Sequence, residues 1–129
     1  MVSNCEIVKY MRELRFRFFD TEVGEMFDSF TLRETIQDDS WKVGENQTFM
    51  EWTGKKIKGE DLFEGDIVLN SIHGNYFEVV WDNTSSSFVL FNGATKLTMH
   101  LKTVADCRIA GNRFENPKLL DKVYGTKEL

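Results

Sequence analysis

The residues of this chain that could do chemistry are few and scattered. Four carboxylates, Glu60, Asp61, Glu64 and Asp66, lie close together and could suggest magnesium, which asks for one or two carboxylates plus phosphate oxygens. The spacing of a calcium loop is absent. The pair Gly65-Asp66 leading into Ile67-Val68-Leu69 has a structural explanation: glycine supplies an unusual dihedral, aspartate bonds the local backbone, and a tight turn launches a core strand. The histidines are His73, in a segment that reads as a hairpin turn, and His100, which alternates with apolar positions on a strand. Neither has a partner at motif spacing, so no triad is claimed. No nucleophile elbow, P-loop or dinucleotide fingerprint occurs. Cys5 and Cys107 belong to no CxxC or CxH spacing, which argues against structural zinc. Free thiols are expected, with Cys107 a small buried hydrophobe. Trp52, Trp81 and Phe63 could form a platform on which bases stack, but aromatics beside the core strands of a small barrel more often fill its interior. No residue is therefore assigned as catalytic or metal-binding, no cofactor is expected, and ligand-binding residues are left open. The expectation is a protein that is not an enzyme; an acidic-loop enzyme using a metal through Asp66 is the remotest reading.

The elements that must position these residues are strands. The chain has 129 residues and an aromatic share of 13%; the length fits one domain, and aromatics favour pleated, half-buried surfaces. Met11 begins a stretch with a period of two: Leu14, Phe16 and Phe18 point one way, Arg15, Arg17 and Phe19 the other. The arginine side is read as the solvated face. Turn chemistry from Asp20 to Gly24 leads to a hairpin partner at Glu25–Asp28. Phe30 to Gln47 is acidic and poorly patterned and reads as a loop. Phe49–Thr53 reads as a strand closed by Gly54. Strands then recur at short spacing: Ile67–Leu69, Tyr76–Trp81, Phe88–Phe91, Leu97–Val104 and Cys107–Ala110. Strands so spaced with turn signals between them suggest a small barrel or sandwich. Asn116-Pro117 offers an N-cap with proline at the first helical position, which predicts a short C-terminal helix.

The formal net charge is -5, which disfavours duplex DNA because phosphate neutralisation supplies most of that affinity. The distribution is uneven: nine acids against Arg33 and Lys42 from Asp20 to Glu51, and seven bases against four acids from Lys96 onward. One acidic and one mildly basic face follow, read as solvated surface. No export signal and no long apolar run is seen, so a cytoplasmic protein with no membrane association is expected.

Four blocks in order resemble the YopX family of phage and prophage proteins. They are Met11–Arg17 with Phe19-Asp20; Met50–Gly54 running to Leu62–Val68; Phe77–Asp82; and Ile109–Leu120. There are departures. Residues 1–10 form an N-terminal extension ahead of a single domain at 11–129, divided into an N-terminal β segment at 11–48 and a barrel with terminal helix at 49–129. The linker from Gly54 to Glu60 is short, and Ile109-Ala110-Gly111-Asn112 carries one residue more than the family's Ile-Gly-Asn. The resemblance implies a mainly β fold, an N-terminal hairpin with a C-terminal SH3-like small β-barrel, phage or prophage origin, and self-association. It implies no reaction and no site residues. The function expected is a non-enzymatic homo-oligomeric interaction module, with an unknown host or phage protein as a further partner. The alternative is a nucleic-acid-binding SH3-like barrel using Arg108, Arg113 and Lys118.

Overall fold

The computed structural model describes residues 14–31 and 47–125. Nine strands and one short helix follow in order: β1 (Arg15–Asp20), β2 (Glu25–Thr31), β3 (Gln47–Ile57), β4 (Glu60–Phe63), β5 (Asp66–Asn70), β6 (Tyr76–Asp82), β7 (Ser87–Asn92), β8 (Leu97–His100), a 3-10 segment (Leu101–Asp106), β9 (Cys107–Asn112) and α1 (Leu119–Tyr124). They build two antiparallel sheets, ordered β2-β1-β3-β4 and β8-β7-β6-β5-β9. The second is a half-barrel in SH3-like strand order, with the 3-10 segment entering its last strand. The protein is thus mainly β, with one short C-terminal helix.

Local chemistry accounts for most of the turns. Asp20 Oδ1 accepts hydrogen bonds from the backbone N–H groups of Glu22 and Val23, closing the β1–β2 hairpin. Asn70 does the same for Ile72 and His73, and Asp82 for Thr84. These are side-chain mimics of backbone turns. At the start of β5, Gly65 takes φ +87, and Asp66 Oδ2 accepts from the Phe63 N–H at 2.8 Å, the division of labour expected of that pair.

The strand expected to close at Gly54 runs on to Ile57 instead. Gly54 adopts φ +85 inside a register shift between Trp52 and Lys56. Glycine here makes a bulge, which bends a strand without ending it. As a result β3 pairs with β1 through Gln47–Glu51 and with β4 through its second half, joining the two ends of the four-stranded sheet. A second bulge lies in β9: Ile67 pairs with Gly111 and Val68 with Ile109, leaving Ala110 as the extra residue noted in that block.

Two further expectations are corrected. The strand from Leu97 stops at His100, and Leu101–Asp106 turns into the 3-10 segment, which buries Val104. The helix starts at Leu119, later than the Asn116-Pro117 signal suggests; Asn116 Oδ1 bonds back to the Asn112 N–H at 3.2 Å and caps nothing. The acidic stretch at 32–46 and residues 1–13, including Met11–Glu13 and Cys5, lie outside the described residues.

The main core fills the half-barrel with Leu62, Val68, Phe77, Val79, Leu90 and Cys107, among others, and Ile57 from β3 joins it. Cys107 is free and fully buried, as the sequence suggested. A second, smaller core of Phe19, Met50 and Phe63, flanked by Met26, Trp52 and Phe114, sits where the N-terminal sheet meets the barrel.

Candidate functional site

Among the described residues, the buried charged groups lie at that junction. On β1 the alternation is as expected, but the faces are reversed. Arg17 is only 8% exposed and lies inside with Phe19, while Phe16 and Phe18 are half-buried on the opposite face. Arg17 Nη2 meets Asp66 Oδ1 at 2.5 Å, and its guanidinium lies over the Phe63 ring, 4.7 Å from the centroid. Asp66 is 2% exposed. Burial pushes its carboxyl above the ordinary value; the Arg17 charge and the Phe63 N–H pull the other way and offset this only in part. An arginine is tolerated inside because its partner is desolvated with it and holds it at charge-assisted hydrogen-bond distance. Nothing local marks Arg17 as internal: its partner is 49 positions away.

Beside this pair β6 carries Glu78, which is 2% exposed. Phe77 and Val79 point into the core, so Glu78 points to the other face, where α1 and the segment after β9 cover it. Arg113 Nε donates to Glu78 Oε2 at 2.6 Å and Arg113 Nη2 to Oε1 at 3.3 Å, a two-pronged grip. The Tyr124 hydroxyl donates to Glu78 Oε1. Burial first, then that bond to a carboxylate, pushes the Tyr124 phenol up to about 12. The network borders a cleft of ≈ 250 Å³ lined also by Met50, Glu64, Phe114 and neighbouring residues of β3 and β6. Burial raises the Glu64 carboxyl above its ordinary range, with a Glu51 backbone hydrogen bond opposing. Chemically, Glu78 is saturated by a guanidinium and a phenol, while Glu64 is the second carboxyl on the cleft wall. The arrangement locks the C-terminal helix, the β9 turn and the N-terminal sheet onto the barrel. Glu78 and Tyr124 were missed in the sequence because strand alternation makes Glu78 an ordinary outward residue, and only folding brings Tyr124 across 46 positions.

The sequence candidates do not converge. Of the four carboxylates, Asp66 is bound to Arg17, Glu64 faces the cleft, and Asp61 lies 3.7 Å from Arg15 and 3.8 Å from Lys56. Glu60 is exposed on β4. Among the described residues no group of three or more His, Cys, Asp or Glu side chains is placed to hold a metal ion. His73 and His100 are both exposed, His73 on the turn between β5 and β6 and His100 at the end of β8. The three platform aromatics are also dispersed. Phe63 is core beneath Arg17, Trp52 packs under the Arg15 guanidinium and donates Nε1–H to the Lys55 carbonyl, and Trp81 stands exposed on the barrel. Of the basic C-terminal residues, Arg113 is engaged by Glu78, while Arg108 and Lys118 are exposed. Among the described residues no helix is long and apolar enough to cross a membrane.

Comparison with known proteins agrees with this architecture. No curated relative matches the chain. Protein EF1440 from Enterococcus faecalis, known from its crystal structure, is similar in fold: TM-score 0.54 at 21% identity, over 83% of this chain and 97% of that one. The family model described as YopX protein matches residues 15–121, from the first residue of β1 into α1, and the chain belongs to that family.

Proposed function

We propose that this protein is a non-catalytic interaction module of phage or prophage origin that assembles with copies of itself in the host cytoplasm. One observation carries the reading. The N-terminal sheet ends on β2, a seven-residue strand with no neighbour on its outer side among the described residues. Beside that edge stands Phe27, 40% exposed and stacked on Phe18 at 4.8 Å. An unpaired strand edge offers backbone donors and acceptors in register, and a second identical edge satisfies them. An exposed aromatic next to the edge adds apolar area to bury. The engagement of Asp66 by Arg17 and of Glu78 by Arg113 and Tyr124 supports the non-catalytic part of the reading.

Light scattering on the eluting full-length chain tests it. The expected mass is an integral multiple, above one, of 15.0 kDa at micromolar concentration. Phe27→Lys, which places a charge on the edge, should return the mass to one chain. A strict monomer across the concentration range, or an oligomer indifferent to Phe27→Lys, would count against it.

A further inference from the structure

A second groove lies on the barrel, built by β3, β6, β7 and the start of the 3-10 segment, with no residue from β1 or β2. Its volume is ≈ 400 Å³. At its rim stands Trp81, the last apolar residue of β6, 42% exposed. Phe88, buried in the core on β7, supports it edge-on: the ring centroids are 5.0 Å apart and the planes cross at 76°. An indole held by a core phenylalanine and open to solvent is an aromatic surface already oriented, so little ordering is left to do on binding. Around it lie Lys55, Lys102 and His100. The lining contains two lysines and no carboxylate, in a chain whose net charge is -5. The nearest acid in sequence, Asp82, is turned into its own loop, accepting from the Thr84 N–H and the Ser85 hydroxyl.

We infer that this groove binds single-stranded nucleic acid, with a base stacked on Trp81 and the flanking phosphates held by Lys55 and Lys102. The charge of the lining calls for an anion, and the exposed indole selects among anions. An acidic peptide satisfies the lysines without supplying a π-face beside each charge, whereas in a nucleic acid every phosphate is flanked by a base that presents one. Duplexes hide those faces, so a single strand is the form that fits. The inference differs from binding through the basic C-terminal segment, whose Arg113 is engaged by Glu78. It also does not depend on self-association.

The test is fluorescence anisotropy of short fluorescein-labelled single-stranded DNA and RNA with the full chain at low salt. Saturable binding is expected, with log K falling against log salt at a slope of about -1.4, from about -0.7 per neutralised phosphate on a single strand. Trp81→Ala should weaken binding roughly ten-fold or more, and Trp81→Phe should retain most of it. The pair Lys55→Gln with Lys102→Gln should flatten the salt slope toward zero, while Lys118→Gln, outside the groove, leaves affinity unchanged. Should Trp81→Ala fail to fold by circular dichroism, the two exposed lysines carry the test. Absence of binding, indifference to the groove variants, or equal displacement of the labelled strand by an acidic peptide would overturn the inference.

Discussion

Breaking the Arg17–Asp66 pair gives the sharpest test of the junction, because both partners are desolvated. The side chains are 9% and 2% exposed and meet at 2.5 Å. Removing one partner of such a pair leaves an uncompensated buried charge, at a cost of about 3–5 kcal/mol. For a domain of this size that corresponds to a fall in Tm of roughly 10–20 °C, and to a large fraction of a total stability of about 5–15 kcal/mol. The two single variants should respond differently to pH. In Asp66→Asn the stranded group is a guanidinium, which does not lose its proton in proteins, so protonation cannot relieve the penalty. In Arg17→Met the stranded group is Asp66, whose carboxyl burial already pushes above 3.8. A carboxyl raised in the folded state binds its proton more tightly there than in the unfolded chain. Its contribution is therefore complete below pH 3.8 and is lost as pH rises through the folded value. Without Arg17 the raise is larger, and the cost of Arg17→Met should grow from acid toward neutral pH. The double variant Arg17→Met/Asp66→Asn should regain much of the loss, since neither charge remains buried. Urea unfolding at several pH values measures all three. Single-variant costs below about 1 kcal/mol, or costs that simply add in the double variant, would refute the picture of a coupled buried pair.

Other consequences are as direct. A Cβ placed on Gly93 would overlap the Tyr124 ring, so Gly93→Ala should cost about 1–3 kcal/mol and disturb the Tyr124–Glu78 bond. Ultraviolet titration of that phenol should then move down from about 12 toward the ordinary tyrosine value. Leu90 is fully buried in the main core, and Leu90→Ala should cost about 2–5 kcal/mol in denaturant unfolding, whereas Ile72→Ala, on an exposed turn, should fall within about 0.5 kcal/mol.

What the sequence determined by itself was local. Alternation located β1, short spacing between turn signals located β6, and Gly65-Asp66 located the launch of β5, because each rests on contacts within a few residues. Four short blocks in order were enough for the family and the mainly β fold. What only the tertiary structure decided was which side of each strand faces in, and what meets there. Alternation divides β1 into two faces but does not rank them; Arg17 is inside because Asp66 comes from a strand 49 positions on and neutralises it there. Glu78 reads as an outward residue until Arg113 and Tyr124 close over it. Gly54 reads as a stop until β4, pairing with β3 before and after it, turns it into a bulge. Trp81 and Lys102, 21 positions apart, share a groove because β7 and β8 fold back between them. In each case the deciding energy is a desolvated charge or a strand ladder between distant segments, which no window of the sequence contains.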